Sequence, residues 1–398
     1  LLGNEYVEHG APRGGTSISH RNADGSWGFP QAQTIQKYYN RNTYGHYCLS
    51  SDRKSLLSCL KRDEGEGNQD IYVSFIQPDS TWSVPMNIGR TINTAGDEST
   101  VFLAPDTRTL FFSSSGHNGY GGNDIFVSTR LDETWKSWSE PMNLGDRVNS
   151  KGGNAYYSVD ASGKNAYCVS SQQNGNSDIY RIELPPSLQV VPVVLVEGKV
   201  YNSKSQTPVL AKIYYENLFT GKEVGIAQTN PQTGEYKIVL PAGSMYGFRA
   251  EGKGTLPVSE HIDLRKLGEF RALRYDLSLV PDEVGQTVLL NNLFFSYNRW
   301  EIERESISEL TRLAEELLRS PSMKILITGH TDNTGSDSYN VKLSRKRAEE
   351  VATFIEQEGV PRNQILTQGK GKSAPVVSND TEEGRKKNRR VEFTILEK

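Results

Sequence analysis

The apolar positions of this 398-residue chain fall into three regimes. Up to residue 184 they come as short runs such as Thr109-Leu110-Phe111-Phe112-Ser113-Ser114, separated by Asp, Gly and Asn turns, which predicts many short β-strands. From Val196 to about residue 281 they alternate with period two, as in Gly234-Glu235-Tyr236-Lys237-Ile238-Val239-Leu240, which predicts a small β-sandwich. From about Gln286 the period changes again. Ile307, Leu310, Leu313, Ala314, Leu317 and Leu318 repeat at helical spacing, and Leu343, Val351, Phe354 and Ile355 mark the buried face of a second helix. Strand-like runs at Val288–Phe295, Lys324–Gly329, Ile365–Gly369 and Val391–Ile395 surround these helices, so residues 286–398 read as an α/β sandwich. Ser306 and Glu309 have the spacing of a capping box for the first helix, the alternative being a helix that begins a turn earlier.

The first regime is an internal repeat. Asp52, Asp106 and Asp160 are 54 residues apart, as are Asp70, Asp124 and Asp178. The phrase Asp70-Ile71-Tyr72 returns as Asp124-Ile125-Phe126 and Asp178-Ile179-Tyr180, and Trp82-Ser83-Val84-Pro85-Met86-Asn87-Ile88-Gly89 returns as Trp138-Ser139-Glu140-Pro141-Met142-Asn143-Leu144-Gly145. A repeat of this length with about four strands predicts a propeller blade, and hence a β-propeller over residues 1–184. Three units are readable, with a partial one before Trp27 whose outer strand is Thr16–Ser19. A closed propeller needs about four to eight blades, so either blades lie upstream or the propeller is small. The repeat aspartates are expected to cap turns rather than bind calcium, because no Asp-x-Asp-x-Asp-Gly loop accompanies them. Cys48, which aligns with Phe102 and Tyr156, is expected to be buried. Ala104-Pro105-Asp106 and the Ser-Ser tract that follows resemble the WD40-like (PD40) repeats of TolB-type proteins. The span 196–281 resembles the carboxypeptidase regulatory-like domain, a transthyretin-like sandwich, which implies a spacer or protein-contact role.

The last regime carries a denser signature. Gly329-His330-Thr331-Asp332-Asn333-Thr334-Gly335, then Asn340, then Leu343-Ser344-x-x-Arg347-Ala348, and finally Asn388-Arg389-Arg390-Val391 resemble, in order, the OmpA C-terminal peptidoglycan-binding domain. The resemblance implies that Asp332 and Arg347 bind the diaminopimelate of the stem peptide, with Asn340 and Thr334 supporting the loop or touching ligand. The chemistry is consistent: the zwitterionic end of a diamino acid needs an anion beside a cation, and the arginine fork suits a carboxylate. His330 is expected to be a structural strand-end residue.

Composition narrows the classes. Basic and acidic residues number 45 and 48, and residues 286–398 carry 18 basic and 17 acidic side chains. The cluster Arg385–Arg390 therefore lacks the excess positive charge that nucleic-acid affinity requires. No apolar run reaches the length of a membrane helix. Three cysteines exclude a disulfide scaffold, and the six histidines show no zinc spacing, so no metal or cofactor is expected. Leu1 in place of Met is read as a processed or trimmed start, outside which a lipid anchor is expected.

The domain order resembles periplasmic outer-membrane lipoproteins of Bacteroidota, in particular the PorE type of the type IX secretion system. It implies a non-enzymatic anchor at the periplasmic face of the outer membrane, with peptidoglycan as one partner and secretion proteins docked on the propeller. The alternative is a propeller-based hydrolase or lyase tethered to the wall, for which no triad or paired-carboxylate motif is visible.

Overall fold

In the computed structural model, all residues are described except 1, 2, 7–9, 12, 21, 23–25, 172–175 and 297. The chain divides into two compact units. Most of the first is Leu1–Val196; most of the second follows it.

In the first unit the 54-residue repeat is one antiparallel sheet. His46–Leu49, Ser55–Leu60, Asp70–Phe75 and Met86–Asn87 form one sheet in sequence order, and Glu98–Leu103, Thr109–Ser114, Asp124–Thr129 and Met142–Asn143 form the next. The third, of Asn154–Val159, Asn165–Ser171 and Ser177–Glu183, has three strands. Of the expected outer strand Thr16–Ser19, Ser17–Ile18 is a strand, paired with Gln31–Ala32. Because side chains alternate across a strand, the middle sheet buries both faces. Phe112 and Phe126 join Leu57, Ile71 and Val73 of the first sheet, while Phe111 and Ile125 join Tyr157, Ala166 and Cys168 of the third. The repeat aspartates cap turns as expected: Asp106 accepts hydrogen bonds from the N–H groups of Arg108 and Thr109 (both 2.9 Å), and Asp52 from that of Lys54 (2.9 Å).

The expectation for Cys48 is met in part: the residue packs against the core of Leu57, Ile71 and Val73 without being fully enclosed. Its side chain is half-buried, and its Sγ accepts the Leu103 N–H at 3.4 Å. Cys48 opposes Leu57 as Phe102 opposes Phe111, but in the third sheet Ser158 takes that place. Tyr156 instead sits in a bulge, with φ 55° and 59% exposure. The middle sheet has a matching bulge between Glu98 and Thr100, so the bulge is not what mispaired these positions: the connection before Trp138 is two residues longer than the one before Trp82, and the third sheet's first two strands follow at a spacing of 56, not 54.

In the second unit, Lys222–Gln228, Ala211–Asn217, Met245–Gly252 and Val258–Asp263 form a four-stranded antiparallel sheet. The C-terminal part has β1 (Thr287–Leu289), α1 (Ile307–Arg319), β2 (Lys324–Gly329), α2 (Asp337–Gln357), β3 (Ile365–Gly369), α3 (Glu382–Asn388) and β4 (Val391–Glu397). Its sheet order is β1-β4-β2-β3, with β2 and β3 parallel. Leu310, Leu317, Ile325, Ile327, Val351, Ile355 and Ile395 form a fully buried core between helices and sheet. The chain is thus multidomain, mostly β in several small sheets, with a C-terminal α/β layer.

Two local expectations fail. The first strand ends at Leu289, because the chain turns at Leu290–Leu293 and Phe295 keeps only an isolated bridge to Ile302. No capping box forms. Ser306 is already helical, after a 3-10 turn at Arg304–Ser306, and its hydroxyl binds both backbone groups of Phe294 (2.8 and 3.3 Å). Glu309 is buried beside Arg312 instead.

Candidate binding site

The site forms where β2 and β3 end under α2. Two glycines permit the approach. A Cβ on Gly329 would lie 2.1 Å from the Ser344 carbonyl oxygen, and one on Gly369 would lie 2.4 Å from the Arg345 nitrogen. With no side chain there, the α2 backbone rests on the strand ends. The Ser344 Oγ accepts the Gly371 N–H at 2.9 Å, and the Gly371 carbonyl accepts the Thr331 N–H at 3.0 Å. The His330 N–H donates to the Arg390 carbonyl (2.8 Å), and its buried ring lies 3.1 Å from Glu392. His330 is thus a strand-end fixture.

The loop that follows holds itself in shape. Asp332 Oδ1 accepts the Thr334 N–H at 2.8 Å, an Asx-type turn. Gly335 takes φ 96°, and Ser336 caps α2 by accepting the Tyr339 N–H at 3.3 Å. Asn340 is buried and donates to the Thr334 carbonyl at 3.0 Å, tying the loop to the helix's first turn. Arg347 lies two turns further on. Its Nε donates to the Arg299 carbonyl at 3.0 Å, and its guanidinium sits 4.9 Å from the centre of the Phe295 ring.

Asp332, Thr334, Asn340 and Arg347 all line one cavity of about 450 Å³, shared with Tyr339 and Arg389. The expected residues are therefore brought together, but Asp332 and Arg347 are not an ion pair. Asp332 Oδ2 accepts from Arg389 Nη1 at 2.6 Å, and Arg389 Nη2 also reaches Glu382 at 2.6 Å. Among the described residues no carboxylate pairs with Arg347.

The charges respond to this arrangement. Burial pushes the Asp332 carboxyl up, but the Arg389 bond and the Thr334 contacts outweigh it and hold the group below its ordinary value. Burial, then the Arg389 charge, pulls Arg347 below the ordinary arginine value, which is so high that the group stays charged. Burial also acts against Arg389, but Glu382 and Asp332 outweigh it and raise its value. The cavity thus offers an ionised carboxylate, a second cation bonded to it, and an arginine with no acidic partner. Such a set can receive a molecule carrying both an ammonium and a carboxylate.

Arg389 is the residue that the sequence reading missed. It stands in the Asn388-Arg389-Arg390 signature, but those three residues do different things. Asn388 is buried and bonds the Val376 N–H and the Val377 carbonyl (both 2.8 Å), Arg390 pairs with Glu392 at 3.1 Å, and only Arg389 reaches Asp332. Among the described residues no group of three or more His, Cys, Asp or Glu side chains is placed to hold a metal.

A family model described as the OmpA family matches residues 294–389. The outer-membrane lipoprotein YfiB of Pseudomonas aeruginosa is 38% identical over 114 residues, which is 29% of this chain and 68% of YfiB. The peptidoglycan-binding protein ArfA of Mycobacterium bovis is 45% identical over 86 residues; these are 22% of this chain, and the match spans only 26% of ArfA's length. Among solved structures, the peptidoglycan-associated lipoprotein from Burkholderia pseudomallei is similar at 28% identity and a TM-score of 0.25, over 27% of this chain and 88% of that one.

Proposed function

The chain belongs to the OmpA family through its C-terminal region, and from that premise we propose that it is a non-catalytic anchor that grips the diaminopimelate stem peptide of peptidoglycan. Asp332 takes the ligand's ammonium and Arg347 its carboxylate; Thr334 and Asn340 hold the loop that aims Asp332. The observation that carries this reading is the single cavity onto which Asp332 and Arg347 both open, with Arg347 lacking an acidic partner among the described residues. The relative ArfA, a peptidoglycan-binding protein by name, supports it.

In this reading residues 286–398 bind the wall, 196–281 form the regulatory-like sandwich, and 1–184 form a propeller that presents partner proteins. The anchor works at the periplasmic face of the outer membrane, held there by a lipid outside this chain, and tethers an outer-membrane assembly of the type IX secretion kind. Each charge-assisted hydrogen bond is worth about 1.5–3 kcal/mol, so one site is weak and repeated sites on a polymer supply retention through avidity. Co-sedimentation with purified sacculi tests the assignment. The protein is expected in the pellet, and free diaminopimelate is expected to release it. A double Asp332→Ala, Arg347→Ala variant that still sediments fully would reject the site.

A further inference from the structure

Among the described residues, the third sheet of the first unit stops one strand short of the other two. In those, Asn87 opposes Tyr72 and Asn143 opposes Phe126, each in a short fourth strand. The turn after that strand is clamped by an asparagine. Asn93 accepts the Ile71 N–H (2.8 Å) and donates to the Ile71 carbonyl (2.9 Å); Asn149 does the same to Ile125 (2.7 and 3.0 Å). Ile71 and Ile125 are completely buried.

The strand Ser177–Glu183 repeats the Asp-Ile-aromatic text and the register, with Tyr180 opposite Cys168 as Phe126 is opposite Phe112. The chain then leaves through Leu184-Pro185-Pro186, and among the described residues the sheet ends on this strand. Ile179, the counterpart of the two buried isoleucines, is 77% exposed. Beside the strand opens a cavity of about 700 Å³, lined by Cys168, Tyr180 and Arg181 and by residues 146–152. Its rim carries Arg147, Lys151 and Arg181 against one acid, Asp146.

We propose that Ser177–Glu183 is an acceptor edge for an antiparallel strand from a partner protein, of the form Pro-apolar-Asn-apolar-Gly with an acidic flank. The two complete sheets show what such an edge accepts, as Pro85-Met86-Asn87-Ile88-Gly89 and Pro141-Met142-Asn143-Leu144-Gly145, and the basic rim sets the flank. Free edges are ordinarily blunted by charge, proline or a covering element; this one carries Asp178, Arg181 and Glu183, yet keeps a bare isoleucine at the position buried in the other two sheets. Strand addition draws affinity from main-chain bonds and selectivity from alternate side chains. The proposal deepens the partner-presenting role above but rests on repeat geometry alone, so its failure leaves wall binding untouched.

The test uses the full chain and a labelled peptide with the sequence of residues 138–148. Fluorescence anisotropy is expected to show saturable binding that a scrambled peptide lacks, and hydrogen exchange at the Ile179 and Arg181 amides is expected to slow on binding. Arg181→Pro removes an N–H from the edge, at the register position of Val73 and Val127, and is expected to weaken binding about tenfold or more. Ile179→Asp, at an exposed position that leaves folding intact, is expected to do the same. Unchanged exchange with peptide present overturns the proposal. So does protection of those amides in the free protein, which would mean that a segment of this chain or a second copy already occupies the edge.

Discussion

Asp332 and Arg347 share a cavity without sharing a bond: Asp332 is held by Arg389 at 2.6 Å, while the Arg347 Nε is spent on the Arg299 carbonyl at 3.0 Å. The anion arrives paired and the cation arrives without an acidic partner. A zwitterion entering the site must share Asp332 with Arg389 but meets Arg347 unopposed, so its carboxylate is expected to supply most of the net gain.

Substitution at Arg347 should separate charge from shape. Arg347→Lys keeps a cation but loses the planar fork and the Nε bond to Arg299. Loss of one charge-assisted bond of about 1.5–3 kcal/mol predicts about tenfold or greater weakening. Calorimetry with a soluble diaminopimelate-containing muropeptide measures it. Affinity equal to wild type in the lysine variant would mean that the fork plays no part.

Arg389 sets the pH range of the site. Since Asp332 titrates below its ordinary value in the fold, it contributes stability above the unfolded-state value of about 3.9, and that contribution disappears as pH falls through the lower folded value. Arg389→Gln leaves the burial and removes the main opposing cause, so the folded value rises. The acid-side loss of ligand binding is expected to move to higher pH, while the acid-side loss of stability that Asp332 contributes is expected to shrink, because the folded value approaches the unfolded one. Melting temperature and muropeptide affinity followed from neutral pH down through the carboxylate range check this, and acid limbs that superimpose for the two proteins would contradict it.

The glycines under α2 offer a structural counterpart. Gly329→Ala places a methyl group against the Ser344 carbonyl, and Gly369→Ala places one against the Arg345 backbone. Neither neighbour is a flexible side-chain end, so helix and strands must separate. Overpacking of this kind costs about 1–3 kcal/mol, and the shift should carry Arg347 away from Asp332. Urea unfolding should show the loss of stability, and muropeptide affinity should fall in protein that remains folded.

Much of this was legible in the chain. The 54-residue period located the sheets, because each turn aspartate bonds nearby backbone and so recurs with the repeat. The ordered text from Gly329 to Arg347 placed both site residues on one loop–helix segment, which strand, loop and helix geometry bring to one end of the sheet. What escaped depended on distant pairing. Arg389 meets Asp332 across 57 residues of chain, and nothing in their spacing announces it. Ser306 had the spacing of a cap, yet Phe294, 12 residues back, claimed its hydroxyl. Tyr156 falls 108 residues after Cys48, but a connection two residues longer before Trp138 puts Ser158 in the equivalent place.

Glu309 tests that same limit energetically. It sits buried in α1, 3.4 Å from Arg312, whose same nitrogen is 2.8 Å from Glu216 of the four-stranded sheet. Burial pushes the Glu309 carboxyl above its ordinary value, and the bonds from Ser259 and Arg312 only partly offset this. The fold therefore favours the protonated acid, and stability declines as pH rises from the ordinary glutamate value through the raised folded one. Glu309→Gln keeps the shape and a bonding partner for Ser259 and removes that decline, while Arg312 keeps Glu216. It is expected to match wild type in acid and to equal or exceed it by about 1 kcal/mol at neutral pH. Glu216→Gln should do the reverse: it strips Arg312 of its shorter ion pair and costs about 1–3 kcal/mol at neutral pH. Urea midpoints of the three proteins at neutral and mildly acidic pH decide the matter, and a Glu309→Gln protein clearly weaker than wild type at neutral pH would show that the carboxylate, not its burial, dominates there.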